Sequence, residues 1–99
     1  MDIPLTLSEQ DEIALKRGFR YEVLLNDPTF AEIINGLSEA YSNAIINTSP
    51  DEGDKREHLY HLHRALMDIV QSMNTAVAIR QEVEQRLQAE ESPINEDNF

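Results

Sequence analysis

The sequence has no cysteine and no tryptophan, and glycine occurs only at positions 18, 36 and 53. The absence of cysteine excludes disulfide bonds, thiolate metal sites and cysteine nucleophiles. Few glycines and few aromatic residues favour helices over a sheet. No apolar run approaches the ~20 residues that a membrane-spanning helix needs, and Met1-Asp2-Ile3-Pro4 lacks the basic segment of a signal peptide. We therefore expect an all-α, cytoplasmic protein without cofactors.

Basic residues are also scarce, with 8 Lys and Arg against 19 Asp and Glu and a formal net charge of -11. Such a charge repels phosphate polymers, so direct binding to nucleic acid is unfavourable and a protein partner is expected. Lys16, Arg17 and Arg20 form the single basic cluster. The cluster predicts either local pairing, as between Glu12 and Lys16, or a patch that binds phosphate or an acidic neighbour.

Motifs for catalysis and for metal binding are missing. The sequence has no glycine-rich phosphate loop, and no histidine accompanies a nucleophile in a known pattern. We predict a protein that is not an enzyme. His58, His61 and His63 have the residue type of metal ligands, but on a helix His63 points about 200° away from His61. The histidines therefore predict a polar face with no metal site.

The first predicted helix covers residues 8–25. Thr6 and Glu9 have the spacing of a capping box, which marks a helix start. Gly18 costs about 1 kcal/mol relative to Ala inside a helix. One face of the helix is apolar and consists of Leu15, Phe19 and Val23.

The second predicted helix covers residues 28–47. Asp27 is a good N-cap, and Pro28 suits the first helical position, where its missing N–H is not needed. Gly36 would allow another helix to approach closely. The apolar residues of this helix recur three and four positions apart: Phe30, Ile33, Ile34, Leu37, Tyr41, Ala44 and Ile45.

The third predicted helix covers residues 50–90. Ser49 and Glu52 have capping-box spacing, with Pro50 at the first helical position, and Ser92-Pro93 ends the helix. Its apolar residues follow a heptad pattern, which is typical of coiled coils: Leu59, Leu62, Leu66, Ile69, Met73, Ala76, Val83 and Leu87. Arg80 interrupts the pattern, either as a polar residue that sets the register or with its charge extended into solvent.

The lengths of the second and third helices do not match. The short loop between them predicts an antiparallel helical hairpin as the core of the protomer. In that core, residues of the third helix are predicted to meet residues of the second: Leu59, Leu62, Leu66 and Ile69 against Ile33, Leu37, Tyr41 and Ile45. However, the second helix spans roughly 30 Å and the third about 60 Å. The coiled-coil-like distal part of the third helix must therefore pack with helix 1 or with another chain. We expect a homo-oligomer, since an exposed seam is a liability. The predicted interface consists of Met73, Ala76, Val77, Arg80, Val83 and Leu87.

Residues 92–99 are predicted to form an acidic, flexible tail that follows a single helical domain over residues 1–91. The tail resembles, in general style, the acidic tails of single-stranded-DNA-binding proteins, which end in phenylalanine and dock on basic partners. The residues that would make such a contact are Glu96, Asp97 and Phe99. The simpler interpretation is solvated disorder.

A resemblance to a known class of proteins rests on five parts of the sequence: Leu24–Phe30, Tyr41, Asn47–Pro50, Lys55–Tyr60 and Arg64–Leu66. With them the chain resembles short helical-hairpin proteins of tailed bacteriophages, over roughly residues 20–75. That resemblance implies a gene among those for virion structure and DNA packaging. It implies no catalytic residues.

These observations lead to three functional hypotheses. The first is a non-enzymatic helical adaptor or oligomerisation protein of a tailed phage, acting in virion assembly or DNA packaging. Such a protein would be found in the host cytoplasm or in the virion. The second is an acidic inhibitor that binds a basic host nucleic-acid-processing enzyme by charge mimicry. The third is a DNA-binding packaging subunit that uses Lys16, Arg17 and Arg20.

Overall fold

The computed structural model describes residues 7–91, which form three helices and no strand. The helices are α1 (Glu9–Leu25), α2 (Pro28–Ile46) and α3 (Gly53–Glu91). The predicted all-α class is confirmed. With 39 residues, α3 is about 58 Å long, and the molecule is elongated, with extents of 72 × 25 × 23 Å.

The starts of α1 and α2 are set by local caps. The Ser8 hydroxyl accepts the Asp11 N–H at 3.0 Å, so Ser8 is the N-cap of α1. Thr6, predicted to begin this helix, lies outside the described residues. The Asp27 carboxylate accepts the N–H groups of Thr29 and Phe30 at 2.8 and 3.0 Å. This cap is the predicted one, and both helices lie within one residue of the predicted bounds.

Helix α3 begins three residues later than the capping-box spacing predicts. The Ser49 N–H does donate to Glu52 Oε1 at 2.8 Å, but the Ser49 hydroxyl donates to Asp51 at 2.7 Å. The Glu52 N–H donates to the Ser49 carbonyl at 2.9 Å. These bonds close a separate turn that contains Pro50, and the helix begins only at Gly53.

The same turn affects two carboxyl groups. The hydrogen bond from the Ser49 hydroxyl lowers the pKa of Asp51. The pKa of Glu52 is also lowered, first by the hydrogen bond from the Ser49 N–H and then by further contacts with Ser49 and Lys55. The folded turn therefore favours the ionised form of both groups.

Helices α1 and α2 pack along α3 one after the other. Helix α1 runs antiparallel to α3, since Asp11 at its start pairs with Arg86 and Glu22 near its end pairs with Arg80. In the middle of α2, Ser38 bonds to His63. We call residues 53–70 of α3, which pack with α2, the proximal half, and residues 71–91, which pack with α1, the distal half.

The closest packing joins α1 to α3, not α2 to α3 as the sequence predicted. Among the described residues, the buried hydrophobic side chains are Leu66, Met73 and Val83, which are 8%, 7% and 8% exposed. All three belong to α3. Leu62 and Ile69, which were predicted to pack against α2, remain exposed.

The pattern of buried residues on α3 differs between its two halves. One column, formed by every seventh residue, is buried or partly buried throughout: Leu59, Leu66, Met73, Arg80 and Leu87. In the proximal half the second inward position lies four residues later, at His63 and Val70. In the distal half it lies three residues later, at Ala76 and Val83. The two shorter helices therefore cover different sides of α3.

Candidate functional site

The distal seam, predicted as an interface between subunits, is covered by α1 of the same chain. This corrects the argument that Met73, Ala76, Val77, Arg80, Val83 and Leu87 need a second chain. Met73 and Val83 are already buried, and the other four residues are partly buried. Of the two arrangements that the helix lengths allowed, helix 1 folded across the seam is the one observed.

Gly18 permits this coverage. A Cβ atom at Gly18 would lie 2.4 Å from the Arg80 Cβ and 2.8 Å from the Ala76 carbonyl oxygen. Both distances are shorter than side-chain contacts allow, so only glycine fits. The sequence suggested Gly36 for a close approach, but a Cβ there would meet nothing within 4 Å. The close helix contact is therefore at Gly18.

Arg80 fastens α1 to α3. Its guanidinium group pairs with Glu22 on α1 and with Glu84 on α3, the latter at 3.0 Å. The same group lies 5.3 Å from the centroid of the Phe19 ring, within the range of a cation–π contact. Near the N-terminal end of α1, Asp11 accepts a hydrogen bond from the Arg86 guanidinium group at 2.5 Å. The interruption of the heptad pattern is therefore a polar contact within the chain.

The basic cluster of Lys16, Arg17 and Arg20 lies on α1. All three side chains are exposed, and within residues 7–91 none of them pairs with an acid. The predicted pair of Glu12 and Lys16 is not formed. Lys16 and Arg20, four residues apart, share one face of α1, whereas Arg17 lines a groove beside Ala76 and Ile79.

The three histidines also separate. His63 faces α2, where its Nε2 lies 3.2 Å from the Ser38 hydroxyl. His58 and His61 are exposed, and His61 lies 3.9 Å from the Glu57 carboxylate. Within the described part of the chain, no group of three or more His, Cys, Asp or Glu residues could hold a metal ion. Glu96, Asp97 and Phe99 of the predicted tail lie outside that part.

The candidate site is a set of large apolar side chains left exposed in the proximal half. We call this set the apolar flank: Ile33 and Leu37 on α2, and Leu62 and Ile69 on α3. Ile33 and Ile69 are more than half exposed, at 54% and 55%. Patches of this kind on soluble proteins commonly mark interaction surfaces.

The four side chains lie on one side of the molecule. Ser38 lies four residues after the partly buried Ile34, and His63 lies four residues after the partly buried Leu59. Their hydrogen bond shows that these sides of the two helices coincide. Each flank residue instead lies three residues after an inward-facing position. The positions three and four residues after the same residue are about 100° apart around a helix. The flank is therefore the opposite side of the α2–α3 pair.

The distal half has a shallow groove between α1 and α3. Its volume is about 240 Å³. Ile13 and Ile79 supply its exposed apolar surface. We call it the distal groove, and it is lined by Gln10, Ile13, Ala14, Arg17, Ala76 and Ile79.

The six residues that line the distal groove include no aspartate or glutamate, and Arg17 is the one charged residue among them. Beside the flank, the acids of α2, Glu32 and Glu39, lie on its solvent-facing side. On α3, the exposed Asp68 directly precedes Ile69 of the flank.

The apolar spacing of the flank residues predicts that they lie in the core of the hairpin, so it does not anticipate their exposure. The signal was present in the width of the α2 stripe. Ile33 and Ile34 are adjacent and therefore lie about 100° apart around the helix, with Leu37, Tyr41 and Ala44 between them. This stripe is wider than the narrow seam through which two helices pack in a coiled coil.

Comparison with known proteins adds no family. No protein-family model matches the chain, and no curated protein or solved structure matches it significantly. The resemblance to phage helical-hairpin proteins therefore stays an expectation from the sequence. No helix within residues 7–91 is long and apolar enough to cross a membrane.

Proposed function

We propose that this protein is a non-enzymatic helical adaptor that binds other protein chains through the apolar flank. One observation supports this function most directly. Ile33, Leu37, Leu62 and Ile69 are all exposed on one side, while the described residues bury only three hydrophobic side chains. Contiguous exposed apolar surface is unfavourable in water unless another surface covers it.

The finer features of the fold belong to the same proposal. We propose that α2 and the proximal half of α3 form an antiparallel hairpin, with coiled-coil-like packing along α3. The inward column that repeats every seventh residue supports coiled-coil packing. The resemblance in the sequence supports a setting in virion assembly or DNA packaging of a tailed phage, in the host cytoplasm or in the virion.

A second candidate function is the acidic inhibitor that imitates nucleic-acid charge. The net charge of -11 supports it, as does the placement of Glu32 and Glu39 on solvent-facing positions of one helix. Against it, Asp11, Glu22 and Glu84 pair with arginines of the same chain, which neutralises part of the charge. Binding by charge and binding by the flank respond differently to salt.

The test is capture of partners with the purified, tagged full-length protein and two variants. Leu37→Asp with Ile69→Asp places two charges on the flank. Val23→Asp is the matched control, because Val23 and Ile69 are both 55% exposed. At about 1 M NaCl, where the screening length is about 3 Å, charge-driven complexes dissociate.

We expect a stoichiometric complex that survives this salt concentration, is retained by Val23→Asp and is lost in the flank variant. A complex that dissociates in salt and ignores the flank variant would instead favour the inhibitor. Equal capture by all three proteins at high salt would contradict the proposed use of the flank.

A further inference from the structure

We infer that the distal groove and the bases beside it bind the acidic tail of the same chain, residues 92–99. The tail lies outside the described residues, and the sequence predicted that it would dock on a basic partner. The surface that receives it is on the distal half, so the inference is independent of the adaptor function proposed for the apolar flank.

The first observation is a set of bases on α1 without a partner. Most of the eight Lys and Arg residues form an ion pair or a hydrogen bond within residues 7–91: Lys55, Arg56, Arg64, Arg80 and Arg86. The remaining three are Lys16, Arg17 and Arg20, and all of them are exposed. In a chain with 19 Asp and Glu, these three bases remain available to an acidic segment.

The three bases surround an apolar residue of the groove. Successive residues of a helix lie 100° apart, so Lys16 and Arg17 are the limits of a 100° arc of α1, and Ile13 and Arg20 fall between them. Ile13 is 52% exposed and lines the groove together with Arg17. Glu9 is the one acid of α1 in this arc, one turn nearer the start of the helix. The surface therefore combines positive charge with an exposed apolar floor.

The tail has the matching composition. It contains Glu96 and Asp97, no Lys or Arg, and the apolar Ile94 and Phe99. The carboxylates would pair with the bases of the arc, while the Phe99 ring would cover the exposed isoleucines of the groove. The groove volume of about 240 Å³ exceeds the roughly 150 Å³ of cavities that hold a benzene ring.

The tail is also long enough to reach the groove. Helix α3 is described to Glu91, and Ile79 of the groove lies about 18 Å before this residue along the helix axis. Pro93 disfavours continuation of the helix, so the chain can turn back at this point. The six residues after Pro93 span about 20 Å when extended. Phe99 can therefore reach the level of Ile79, with the acids of the tail closer to the start of α1.

Covalent attachment favours this occupant over a separate molecule. A segment tethered by a short link has an effective concentration in the mM range, so contacts too weak to hold a free acidic peptide suffice. The tail of a second copy lacks this advantage, and its chain of net charge -11 repels the first. Residues 1–6, which also lie outside the described part, contain a single acid, Asp2, and offer less charge to the bases.

The experiment places a spin label on the tail of the full-length chain. Because the sequence has no cysteine, Asn98→Cys provides a unique attachment point. Paramagnetic broadening of the backbone amide signals then reports which residues the tail approaches. We expect the amides of residues 13–20 to lose several-fold more intensity in this protein than after the further change of Glu96→Gln with Asp97→Asn.

Exchange of the charges tests the pairing directly. Lys16→Glu with Arg17→Glu should abolish the broadening of residues 13–20, because the arc would then repel the tail. Adding Glu96→Lys with Asp97→Lys to that variant should restore the broadening, since each side then carries the charge of the other. Failure of the second pair of changes to restore it would overturn the inference.

A matched control separates pairing from net charge. Glu32→Gln with Glu39→Gln removes two acids from exposed positions of α2, and the tail should still broaden residues 13–20 as in the unaltered chain. Equal broadening in all variants, or none in the unaltered chain, would contradict docking of the tail by these charges.

A mixture of two protein samples identifies the chain that supplies the tail. One sample carries the spin label without the isotope, and the other carries the isotope without the label. We expect no broadening of residues 13–20 in the mixture. Broadening there would assign the docked tail to a second copy and overturn the intrachain contact. None of these readouts involves the flank or a captured protein, so failure of this inference and failure of the adaptor function are distinguishable.

Discussion

Helices α1 and α2 pack on the same partner in different ways. Helix α1 has acidic and basic residues along its length, yet it makes the most extensive contact with α3. Helix α2 has four isoleucines and one leucine, yet none of its residues is buried. Closeness of packing in this molecule therefore does not follow the hydrophobicity of the helix.

Two properties of α1 account for the difference. Gly18 allows the backbones to approach, and the pairs at Arg80 and Arg86 fix the register of α1 on α3. Helix α2 has no equivalent close approach, since Gly36 faces open space. Its apolar residues divide between the side that faces α3 and the flank. The proximal half is thus left with surface that another chain can cover.

The largest expected effect is the loss of packing between α1 and the distal half of α3. Val83→Asp places a charge at a position that is 8% exposed under α1. Burial of an unpaired carboxylate is unfavourable, so we expect α1 to detach and the free energy of unfolding to fall by about 3 kcal/mol or more. Hydrogen exchange should show lost protection in residues 9–25.

Val23→Asp is the control for this variant, because it adds the same charge at an exposed position and should change stability by less than about 0.5 kcal/mol. If Val83 instead joined subunits, as the heptad pattern first suggested, Val83→Asp would lower the oligomer mass and leave α1 protected. That outcome would contradict the intrachain packing.

A pair of glycine substitutions sharpens the comparison between α1 and α2. Replacing glycine by alanine should lower the free energy of unfolding in α1 and raise it in α2. Gly18→Ala forces α1 away from Ala76 and Arg80, and we expect a loss of about 1–3 kcal/mol, as for other overpacked positions. Gly36→Ala meets no atom and removes a flexible residue from a helix, so it should stabilise by about 0.4–1 kcal/mol. Urea denaturation of both variants measures the difference.

The smallest expected effect concerns the turn before α3. The turn lowers the pKa of Asp51 and of Glu52. Their contribution to stability is therefore present above the ordinary pKa values of about 4, and it is lost as pH falls through the lower folded-state values. Asp51→Asn with Glu52→Gln should lower the Tm slightly at pH 7 and make little difference near pH 3.

Glu32→Gln with Glu39→Gln removes the same charge from positions outside the turn, and it serves as the control for general charge effects. A Tm difference between the wild type and the Asp51/Glu52 variant that grew on acidification would contradict the assigned role of the turn.

Local features were predictable where a few neighbouring residues decide them. Asp27 and Pro28 marked the start of α2 correctly, because a cap involves only the next three residues. The spacing of Ser49 and Glu52 correctly predicts a hydrogen bond between them, but further bonds, including those from Ser49 to Asp51 and from Glu52 to the Ser49 carbonyl, close a separate turn before the helix. The heptad pattern predicts an interface between subunits at the distal seam, because the pattern does not show that Gly18 and Arg80 hold α1 against this seam.

The sequence by itself determined three helices and their approximate ends, because hydrogen bonds between residues three or four positions apart encode them. The tertiary structure decided which apolar residues are buried. A heptad pattern cannot show which of two adjacent positions faces a neighbour, since that choice depends on the direction from which the neighbour approaches. Here α1 approaches the distal half on one side and α2 approaches the proximal half on the other, which leaves the apolar flank exposed.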